Sequence, residues 1–554
     1  MSLSIILTFL LALVLFAIYV AVVVPYRNPL YPIAGPPITK WFGNHMGPVL
    51  DPAISNRGID IIIRRYGRSV RIRGIGTWDD RLLTLDPLSL AHVLKTPEIY
   101  EKPWQSRRII EALIGRGILA AEGQMHKRHR RVASPAFSIQ NMRALAPLVF
   151  RKGTQLKDRM AGLVDDGADA DGFVALDIAH WVSRATFDVI GVAGFDYNFD
   201  AIENEDNELF MAYKEMFEIS LSQGKLWRTL LGIWAPVVTR WFPDEMQRTV
   251  DRCVNTIHTT ATKLIADRKE KVLEGQRTGK PHPGKDLLTL LIKSNLSSSL
   301  TPEQRISDED MVHNINTFMF AGSDTSSLSL AWTFLLLAQH PPVQTRLRNE
   351  LIALLPNSQT DLTNLSTEEI HSLYEQVAEL PYLHSVVRES MRLIPPVHSS
   401  LRVAMQDDEI PVAYPVHMRD GSIKEGMRTV PIKKGTYIHV SIEAFNLDKQ
   451  VWGPDAWEFN PDRWDALPEL VDGQPGLFSN ILTFSAGPRS CIGMRFSMIE
   501  VKSFLFILLT NFEFVPTEDR IIKANVVLTR PYIGGRYEEG SQLPIKVRRL
   551  RKMD

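Results

Sequence analysis

The sequence FSAGPRSCIGMRFSMIE runs from Phe484 to Glu500 and contains one of only two cysteines among 554 residues. An irregular, glycine-containing stretch precedes Cys491, and an apolar helical pattern follows it. The sulfur is therefore predicted to lie at a helix N-terminus, where backbone N–H groups and the helix dipole favour a thiolate. Because the dipole lowers a thiol pKa by only about one unit, full deprotonation also requires a bound metal.

This setting predicts that Cys491 is an axial thiolate ligand of haem iron. Gly487 would permit a backbone bend that points N–H groups at the sulfur, and Gly493 would let the helix approach a flat cofactor. Arg489 offers a cation for a carboxylate. The alternative is a buried structural cysteine, since free cysteine is among the most buried residue types. The residues around Cys491 favour the role of iron ligand over that of a buried structural cysteine.

The composition excludes several other classes of protein. Two cysteines this far apart cannot form a disulfide framework, a four-cysteine zinc site or an iron-sulfur cluster. With 45% hydrophobic and 23% charged residues and no net charge, the chain has an ordinary globular composition without a bias towards nucleic acid. Few stretches resemble linkers, which predicts one large catalytic domain.

The amino terminus departs from this globular composition. Leu3 to Val24 is a stretch of 22 uncharged residues, which as a helix spans about 33 Å against a hydrocarbon core of about 30 Å. A cleaved signal peptide is the alternative, but the stretch lacks a basic n-region and an A-x-A site and is too long. Arg27 and Lys40 follow it, which favours a cytosolic body.

We therefore predict three parts. Residues 1–25 form a transmembrane anchor, residues 26–45 form a proline-rich hinge with a bend at Gly35, and residues 46–554 form the catalytic domain. The fold class is mainly α with smaller β-sheets, that is, α+β.

Strand-like alternation appears in RSVRIRGIG, residues 68–76, and again over residues 411–441. The polar stretch EGQRTGKPHPGKD, residues 274–286, predicts a surface loop. GRGILA, residues 115–120, formally matches a dinucleotide-binding pattern, but it leads into a basic segment without an acidic residue for a ribose, which indicates coincidence.

A long apolar helix is predicted from about Ser307 to the residue before Pro341, roughly 50 Å in length. Ser307 can cap it, and Asp310 can reach back to complete a capping box. At its centre, AGSDTS places polar residues where packing favours apolar ones. A second membrane span is the alternative, but an aspartate at its middle costs about 2.5–3.5 kcal/mol.

Phe484, Gly487, Arg489, Cys491 and Gly493 fit the signature F-x-x-G-x-R-x-C-x-G, and the chain resembles the cytochrome P450 family of haem-thiolate monooxygenases. The resemblance implies the cytochrome P450 fold behind one N-terminal transmembrane helix, with haem as the cofactor. It also implies that Cys491 is the proximal iron ligand, that Phe484 packs beside the thiolate and that Arg489 pairs with a haem propionate.

The AGSDTS stretch, residues 321–326, resembles the oxygen-binding part of the same family. The resemblance implies that Gly322 opens the helix, that Thr325 hydrogen-bonds the dioxygen and that Asp324 helps to deliver protons.

Glu389 and Arg392 in ESMR are three residues apart on a predicted helix and can pair. With Arg463 in FNPDRW they resemble the family's structural charge triad, which carries no redox chemistry.

The segment EGQMHKRHRRVASPAF, residues 122–137, matches the helix in which the family usually shows W-x-x-x-R. His126 replaces the tryptophan, whereas Arg130 is retained. The resemblance implies that Arg130 holds a haem propionate and that His126 can also donate to it, although the departure from the pattern weakens that assignment.

The same helix carries a basic surface, which we define as Lys127, Arg128 and Arg131. A solvated helix face is one interpretation; the other, implied by the resemblance, is a docking surface for the electron donor. No flavin or nicotinamide site is recognisable in the sequence. The resemblance therefore implies a separate donor, NADPH-cytochrome P450 reductase, in the endoplasmic reticulum membrane, with the catalytic domain in the cytosol.

The resemblance to membrane-bound fungal members implies a lipophilic substrate, with a terpenoid of the lanostane type as the lead, in secondary metabolism. Trp227, Trp234 and Trp241 would dip into the membrane interface or, alternatively, pack in the core. By analogy the substrate pocket draws on residues 104–119, Phe318, Ala321, residues 397–401, Tyr532 and Ile533.

Two other functions stay open at this point. One is a haem-thiolate enzyme that rearranges peroxides without a reductase, against which Asp324 and Thr325 argue. The other is a non-catalytic haem-binding sensor or carrier.

Overall fold

The computed structural model describes residues 3–40, 43–222, 231–278, 280, 284–355, 362–524 and 528–550. The chain divides into two compact units. The first unit comprises Met1–Pro103, Val397–Glu458 and Leu467–Cys491, and the second comprises Trp104–Pro396, Phe459–Ala466 and Ile492–Asp554. The boundaries predicted at residues 25 and 45 remain predictions.

The α-helices, in chain order, are α1 (Leu3–Ile18), α2 (Val24–Arg27), α3 (Met46–Leu50), α4 (Ser55–Tyr66), α5 (Pro87–Lys95), α6 (Trp104–Ile114), α7 (Gly123–Ala133), α8 (Ile139–Arg143), α9 (Ala146–Gly167), α10 (Ile178–Phe195), α11 (Glu208–Ser222), α12 (Pro236–Trp241), α13 (Glu245–Arg277), α14 (Leu287–Asn295), α15 (Asp308–Gln339), α16 (Pro341–Ile352), α17 (Thr367–Glu379), α18 (Pro381–Leu393), α19 (Ile442–Asn446), α20 (Lys449–Trp452) and α21 (Met494–Leu509).

The strands are β1 (Ser69–Arg73), β2 (Asp80–Thr84), β3 (Tyr100–Glu101), β4 (Val174–Asp177), β5 (Ser400–Ala404), β6 (Asp408–Pro411), β7 (Val416–His417), β8 (Ile423–Lys424), β9 (Thr429–Ile432), β10 (Tyr437–Val440), β11 (Phe512–Pro516), β12 (Ile521–Ala524), β13 (Arg530–Ile533) and β14 (Pro544–Arg549). The helix-dominated α+β class is confirmed, and so are the strands predicted in residues 68–76 and 411–441.

The first unit is built around a five-stranded sheet of order β1-β2-β10-β5-β3. β1 runs antiparallel to β2, β2 parallel to β10, and β5 antiparallel to both β10 and β3. Small antiparallel pairs, β6 with β9 and β7 with β8, extend this unit. Its apolar core combines these strands with side chains of α4 and α5.

The N-terminal apolar segment forms α1, a widened π-helical turn at Tyr19–Val23, and α2. Pro25 cannot donate a backbone hydrogen bond to the preceding turn, which accounts for the widening. The most apolar 18-residue window of residues 5–27 has a mean hydropathy of 3.0 and no residue buried in the protein, so this helix is long and apolar enough to cross a membrane.

The proline-rich segment that follows is packed against the first unit. Leu30 and Ile33 are fully buried in its core, and the Ala34 carbonyl accepts a hydrogen bond from the Arg71 N–H. A Cβ at Gly35 would lie 1.9 Å from the Arg71 carbonyl oxygen, so only glycine fits this approach. The first part of the predicted hinge is therefore fixed to the unit.

The second unit is organised around α15, which packs against α10, α13, α18, α21 and β11. Its N-cap is Ser307, and the capping box with Asp310 is present, as predicted. Most of its side chains are buried; this confirms that the helix is a protein core element and excludes the second membrane span. A three-stranded antiparallel sheet of order β11-β14-β4 and the β12-β13 hairpin complete the unit.

Two segments predicted from the sequence, residues 274–286 and residues 115–120, can be compared with the structure. The stretch at residues 274–286 begins in the helix, because α13 continues to Arg277; residues 279 and 281–283 lie outside the described part of the chain. GRGILA joins α6 to α7 without a preceding strand, so the nucleotide-binding context is absent there. The segment packs against α15 instead, and the Ile118 N–H donates to the Asn314 side chain of that helix at 2.9 Å.

Gly117 provides a direct test of this packing. A Cβ at this position would lie 2.2 Å from Thr317 Oγ1 and 2.5 Å from the His313 carbonyl oxygen. We expect Gly117→Ala to destabilise the protein by roughly 1–3 kcal/mol through overpacking, measured as a lower guanidinium midpoint of the detergent-solubilised protein.

The control is Gly162→Ala in α9, where an added Cβ meets no atom within 4 Å. That change should raise stability by roughly 0.5–1 kcal/mol, because alanine loses less backbone entropy in a helix. Equal effects of the two substitutions would contradict the packing assigned to Gly117.

Candidate functional site

The backbone before Cys491 closes into a short loop within the first unit. The Cys491 N–H donates to the Phe484 carbonyl oxygen at 3.0 Å, and the Ser490 N–H donates to the Gly487 carbonyl oxygen at 3.0 Å. Gly487 has φ +68°, and a Cβ there would lie 2.4 Å from the Leu94 carbonyl oxygen at the end of α5. Conformation and close approach both require glycine at this position.

The two cysteines differ in the way that a thiolate ligand requires. Cys253 on α13 is 2% exposed, and burial together with the nearby Glu215 carboxylate raises the pKa of its thiol. Cys491 is exposed at the end of the loop. Because a ligand must reach the iron and lose its proton, the donor set of this chain fits a haem at Cys491 and does not fit one at Cys253.

The other loop residues flank the thiol. Phe484 is buried and packs edge-to-face on Phe478, with 5.4 Å between ring centroids. Arg489 is half-buried at the end of a short 3₁₀ turn. The first unit thus holds Phe484, Gly487, Arg489 and Cys491 on one stretch of backbone.

α21 begins at Met494 with Gly493 as its N-cap, so the helix predicted after Cys491 is confirmed. Within the second unit, the nearest atom to an added Cβ at Gly493 is Phe137 Cε1 at 4.0 Å. The surface beside Gly493 is therefore open.

α7 carries the two residues expected to hold propionates. His126 is 6% exposed and Arg130 is half-buried. Four residues apart, they share one face of the helix. In the basic surface, Lys127 and Arg131 are exposed and Arg128 is half-buried.

The centre of α15 holds Asp324 and Thr325. The Thr325 hydroxyl donates to the Ala321 carbonyl oxygen at 2.7 Å, one turn back. The helix runs without interruption from Asp308 to Gln339, so the opening expected at Gly322 is not found. A Cβ on Gly322 would lie 2.9 Å from Ile190 Cδ1 of α10, and close helix packing explains the glycine instead.

Asp324 forms an ion pair with Arg530 at the start of β13. Burial raises the pKa of the Asp324 carboxyl above its usual range, and the guanidinium of Arg530 opposes that effect. Arg530 was not predicted from the sequence. The partners lie 206 residues apart, and the arginine belongs to no motif.

Glu500 on α21 was also missed as a titratable site residue. Its side chain is fully buried beside Ser326. Burial raises the pKa of the Glu500 carboxyl well above its usual range, and the Ser326 hydroxyl opposes that effect. A carboxylic acid within an apolar helix is the sequence signal that could have identified it.

Glu389 is the centre of a buried charge cluster. It accepts from Arg392 at 2.8 and 2.9 Å and from Arg463 Nε at 3.3 Å. The indole N–H of Trp464 and the backbone N–H of Asn460 also donate to it, at 3.1 and 3.2 Å. The structure brings the three charged residues together and adds two neutral donors that the motif did not predict.

Comparison with known proteins agrees with this geometry. The family model "Cytochrome P450" matches residues 64–532. Cytochrome P450 monooxygenase 128 of Postia placenta is 35% identical over 95% of this chain and 93% of its own length. Cytochrome P450 monooxygenase 205 of the same fungus is 33% identical over 97% and 96%. A ganoderic acid synthetase of Ganoderma lucidum is 29% identical over 89% and 90%.

The chain therefore belongs to the cytochrome P450 family, whose members bind haem. Within that family it is a monooxygenase of the fungal type.

The Glu389 cluster is testable by mutation. Glu389→Gln removes the charge that two buried arginines share, and breaking such a buried pair costs about 3–5 kcal/mol. We expect a much lower guanidinium midpoint and less haem retained per protein, measured by the Soret absorbance.

The matched control is Asp165→Asn, which removes an ion pair with Arg549 whose partners are about half exposed. Exposed ion pairs contribute little to the free energy of unfolding, so Asp165→Asn should keep the parental guanidinium midpoint. A parental midpoint for Glu389→Gln would contradict a structural role for the cluster.

Proposed function

We propose that this chain hydroxylates a lipophilic small molecule at a haem whose axial ligand is the Cys491 thiolate. The exposed thiol at the end of a hydrogen-bonded loop is the observation that carries the proposal. Haem with a thiolate ligand supplies the activation of dioxygen that lets one oxygen atom enter a C–H bond.

The remaining loop and α7 residues bind and orient the cofactor in this proposal. Arg489, Arg130 and His126 pair with the propionates, since guanidinium and imidazole N–H groups are strong donors to carboxylates. Phe484 shields the thiolate, and the absence of a side chain at Gly493 leaves space for a flat ring. The Glu389–Arg392–Arg463 cluster has a structural role and exchanges no proton with the substrate.

Thr325 and Asp324 hold and move the protons that oxygen activation requires. The Thr325 hydroxyl, which donates to the Ala321 carbonyl, keeps its lone pairs available to accept a proton from one side and can turn to donate on the other. Asp324 is the acid next to it. This pair favours a monooxygenase over a peroxide-rearranging enzyme, which does not need proton delivery to oxygen.

The electron donor is NADPH-cytochrome P450 reductase. Monooxygenases of this family generally use a redox partner, and the exposed Lys127 and Arg131 with Arg128 offer a positive surface for an acidic one.

The protein is anchored in the endoplasmic reticulum membrane with its catalytic part in the cytosol. The apolar helix at residues 5–27 supports the anchor. A second membrane contact is supported by Trp234 and Trp241, which are 67% and 76% exposed beside Phe242 at 69%. This exposure contradicts core packing for these two tryptophans; Trp227 lies outside the described residues.

The substrate is a terpenoid, with a lanostane-type triterpenoid as the lead. Support comes from the ganoderic acid synthetase that is similar over most of the chain. Phe318, one of the expected pocket positions, is apolar and lies edge-to-face on Phe137, with 5.4 Å between ring centroids.

The test of this function is a lipophilic substrate panel, with lanostane triterpenoids included, given to membranes that contain the protein and reductase. NADPH-dependent appearance of a product 16 Da heavier supports it. NADPH-independent product would favour rearrangement, and the absence of any product across the panel would favour a haem carrier.

Cys491→Ser should abolish the red-shifted Soret band of the reduced carbon monoxide complex, because an alcohol is a poor substitute for the thiolate. Cys253→Ser is the matched control and should keep the band. An unchanged spectrum of the Cys491 variant would end its assignment as the ligand.

Reversal of the basic surface should weaken reductase binding. With Lys127, Arg128 and Arg131 replaced by Glu, the reductase concentration for half-maximal turnover should rise severalfold, and the defect should shrink as salt is added. The control reverses three exposed cations elsewhere, Arg277, Lys280 and Lys285. A parental titration at low salt would show that the basic surface is merely solvated.

Thr325→Ala should preserve haem binding and the thiolate spectrum but divert electrons from product to hydrogen peroxide. Proton delivery contributes about a hundredfold in general acid catalysis, so its partial loss lets peroxide escape. The measurement is product and hydrogen peroxide formed per NADPH consumed on a verified substrate. Parental product yield without extra peroxide would remove Thr325 from the oxygen-activating path.

A further inference from the structure

Arg530 is the ion-pair partner of Asp324, and both side chains are largely buried, with 12% and 16% exposure. We propose that Arg530 is the positioning residue that holds the Asp324 carboxylate at the edge of a small cavity, whose water gives Asp324 its proton. The inference rests on the proposed role of Asp324 and adds the residue and the water source on which that role depends.

The backbone just before Arg530 is fixed to α15. The Thr529 carbonyl oxygen accepts from the Trp332 indole N–H at 2.7 Å, two turns after Asp324. The Thr529 hydroxyl and N–H donate to the carbonyl oxygens of Pro395 and Pro396, at 2.9 and 2.7 Å. Because three bonds hold the residue before it, Arg530 presents its guanidinium from a rigid support.

The cavity lies within the second unit and has a volume of about 60 Å³, room for a few water molecules. Asp324 and Arg530 line it together with Ser183, Ser323, Ser327 and Ser541. The four hydroxyl groups and the Asp324–Arg530 pair offer a cavity water the two to four polar partners that it needs, whereas an apolar cavity of the same size stays dry. Asp324 therefore has a polar, solvated space on the side where Arg530 holds it.

Charged and titratable groups from three packed elements face Asp324 across the described cavity. They are His180 on α10, Tyr213 and Lys214 on α11, and Arg530 on β13. Burial raises the pKa of the Tyr213 phenol, so this group keeps its proton across the tested pH range. Burial and the neighbouring Arg184 lower the pKa of His180 to about 4, so this imidazole is neutral at pH 7. Lys214 and Arg530 supply positive charge that favours the carboxylate between turnovers.

The proton transfer balances without any other reactant. A cavity water gives one proton to the Asp324 carboxylate, and bulk solvent replaces that proton. Protonation removes the negative charge that pairs with Arg530, so the ion pair weakens and the carboxyl can turn towards Thr325. The carboxyl then gives this proton to the Thr325 hydroxyl oxygen, which releases its own hydroxyl proton on its other side; Asp324 becomes a carboxylate again and returns to Arg530.

The test compares Arg530→Gln with Arg530→Lys, which keeps the charge. Arg536→Gln, at an exposed arginine three residues after the end of β13, is the matched control. We expect Arg530→Gln to release about threefold or more hydrogen peroxide per NADPH and to show a larger solvent deuterium isotope effect on product formation. Arg530→Lys should restore most of the yield, and the control should behave like the parent.

A second readout does not depend on turnover. Without Arg530, only burial acts on the Asp324 carboxyl, so the pKa of this carboxyl in the folded state rises further. Because the folded state then binds the proton more tightly than the unfolded state, the native state loses stability as pH rises. The denaturant midpoint of Arg530→Gln should therefore fall further below the parent between about pH 5 and about pH 8. In an Asp324→Asn background, this pH-dependent gap should vanish.

The outcomes separate this inference from the proposed function. The role of Arg530 alone would be overturned if Arg530→Gln matched the parent while Asp324→Asn was defective. The match would have to hold for peroxide release, the isotope effect and the pH dependence of the denaturant midpoint. Parental behaviour of Asp324→Asn itself would overturn the proton-delivery role on which the inference rests. A loss of midpoint in Arg530→Gln that is equal at every pH would show a merely structural arginine.

Discussion

The closed loop that ends at Cys491 is the constraint on which the chemistry of this protein depends. One backbone hydrogen bond to Phe484 and one glycine pressed against the Leu94 carbonyl leave the thiol exposed at a helix start. A side chain at Gly487 would clash with backbone that cannot move aside. The folded backbone therefore keeps the Cys491 thiol accessible. Cys253, by contrast, is buried, as free cysteines commonly are.

Proton handling depends on a second constraint, within α15. This helix is buried on most sides and carries Asp324 and Thr325 at its centre. Asp324 pairs with Arg530, and the Thr325 hydroxyl donates to the Ala321 carbonyl oxygen. Burial makes the charge on Asp324 costly, and the arginine offsets that cost. Burial and Arg530 thus act in opposite directions on the same carboxyl, the one proposed to take and give a proton.

The features that sequence reasoning predicted correctly are local in the chain. The Ser307–Asp310 capping box, the helix after Cys491 and the apolar N-terminal helix each depend on residues within a few positions of one another. The features it missed depend on distant partners. Nothing near Asp324 indicates Arg530, and the role of Gly322 follows from Ile190 on another helix rather than from an opening of its own.

The central claim is that this chain inserts one atom of dioxygen into its substrate. The most direct measurement is product formation under ¹⁸O₂ in reductase-containing membranes with NADPH and a substrate from the lipophilic panel. The account predicts a product that carries one ¹⁸O atom and does not form without NADPH. A product with oxygen from water, or one that forms at the same rate without NADPH, would contradict it.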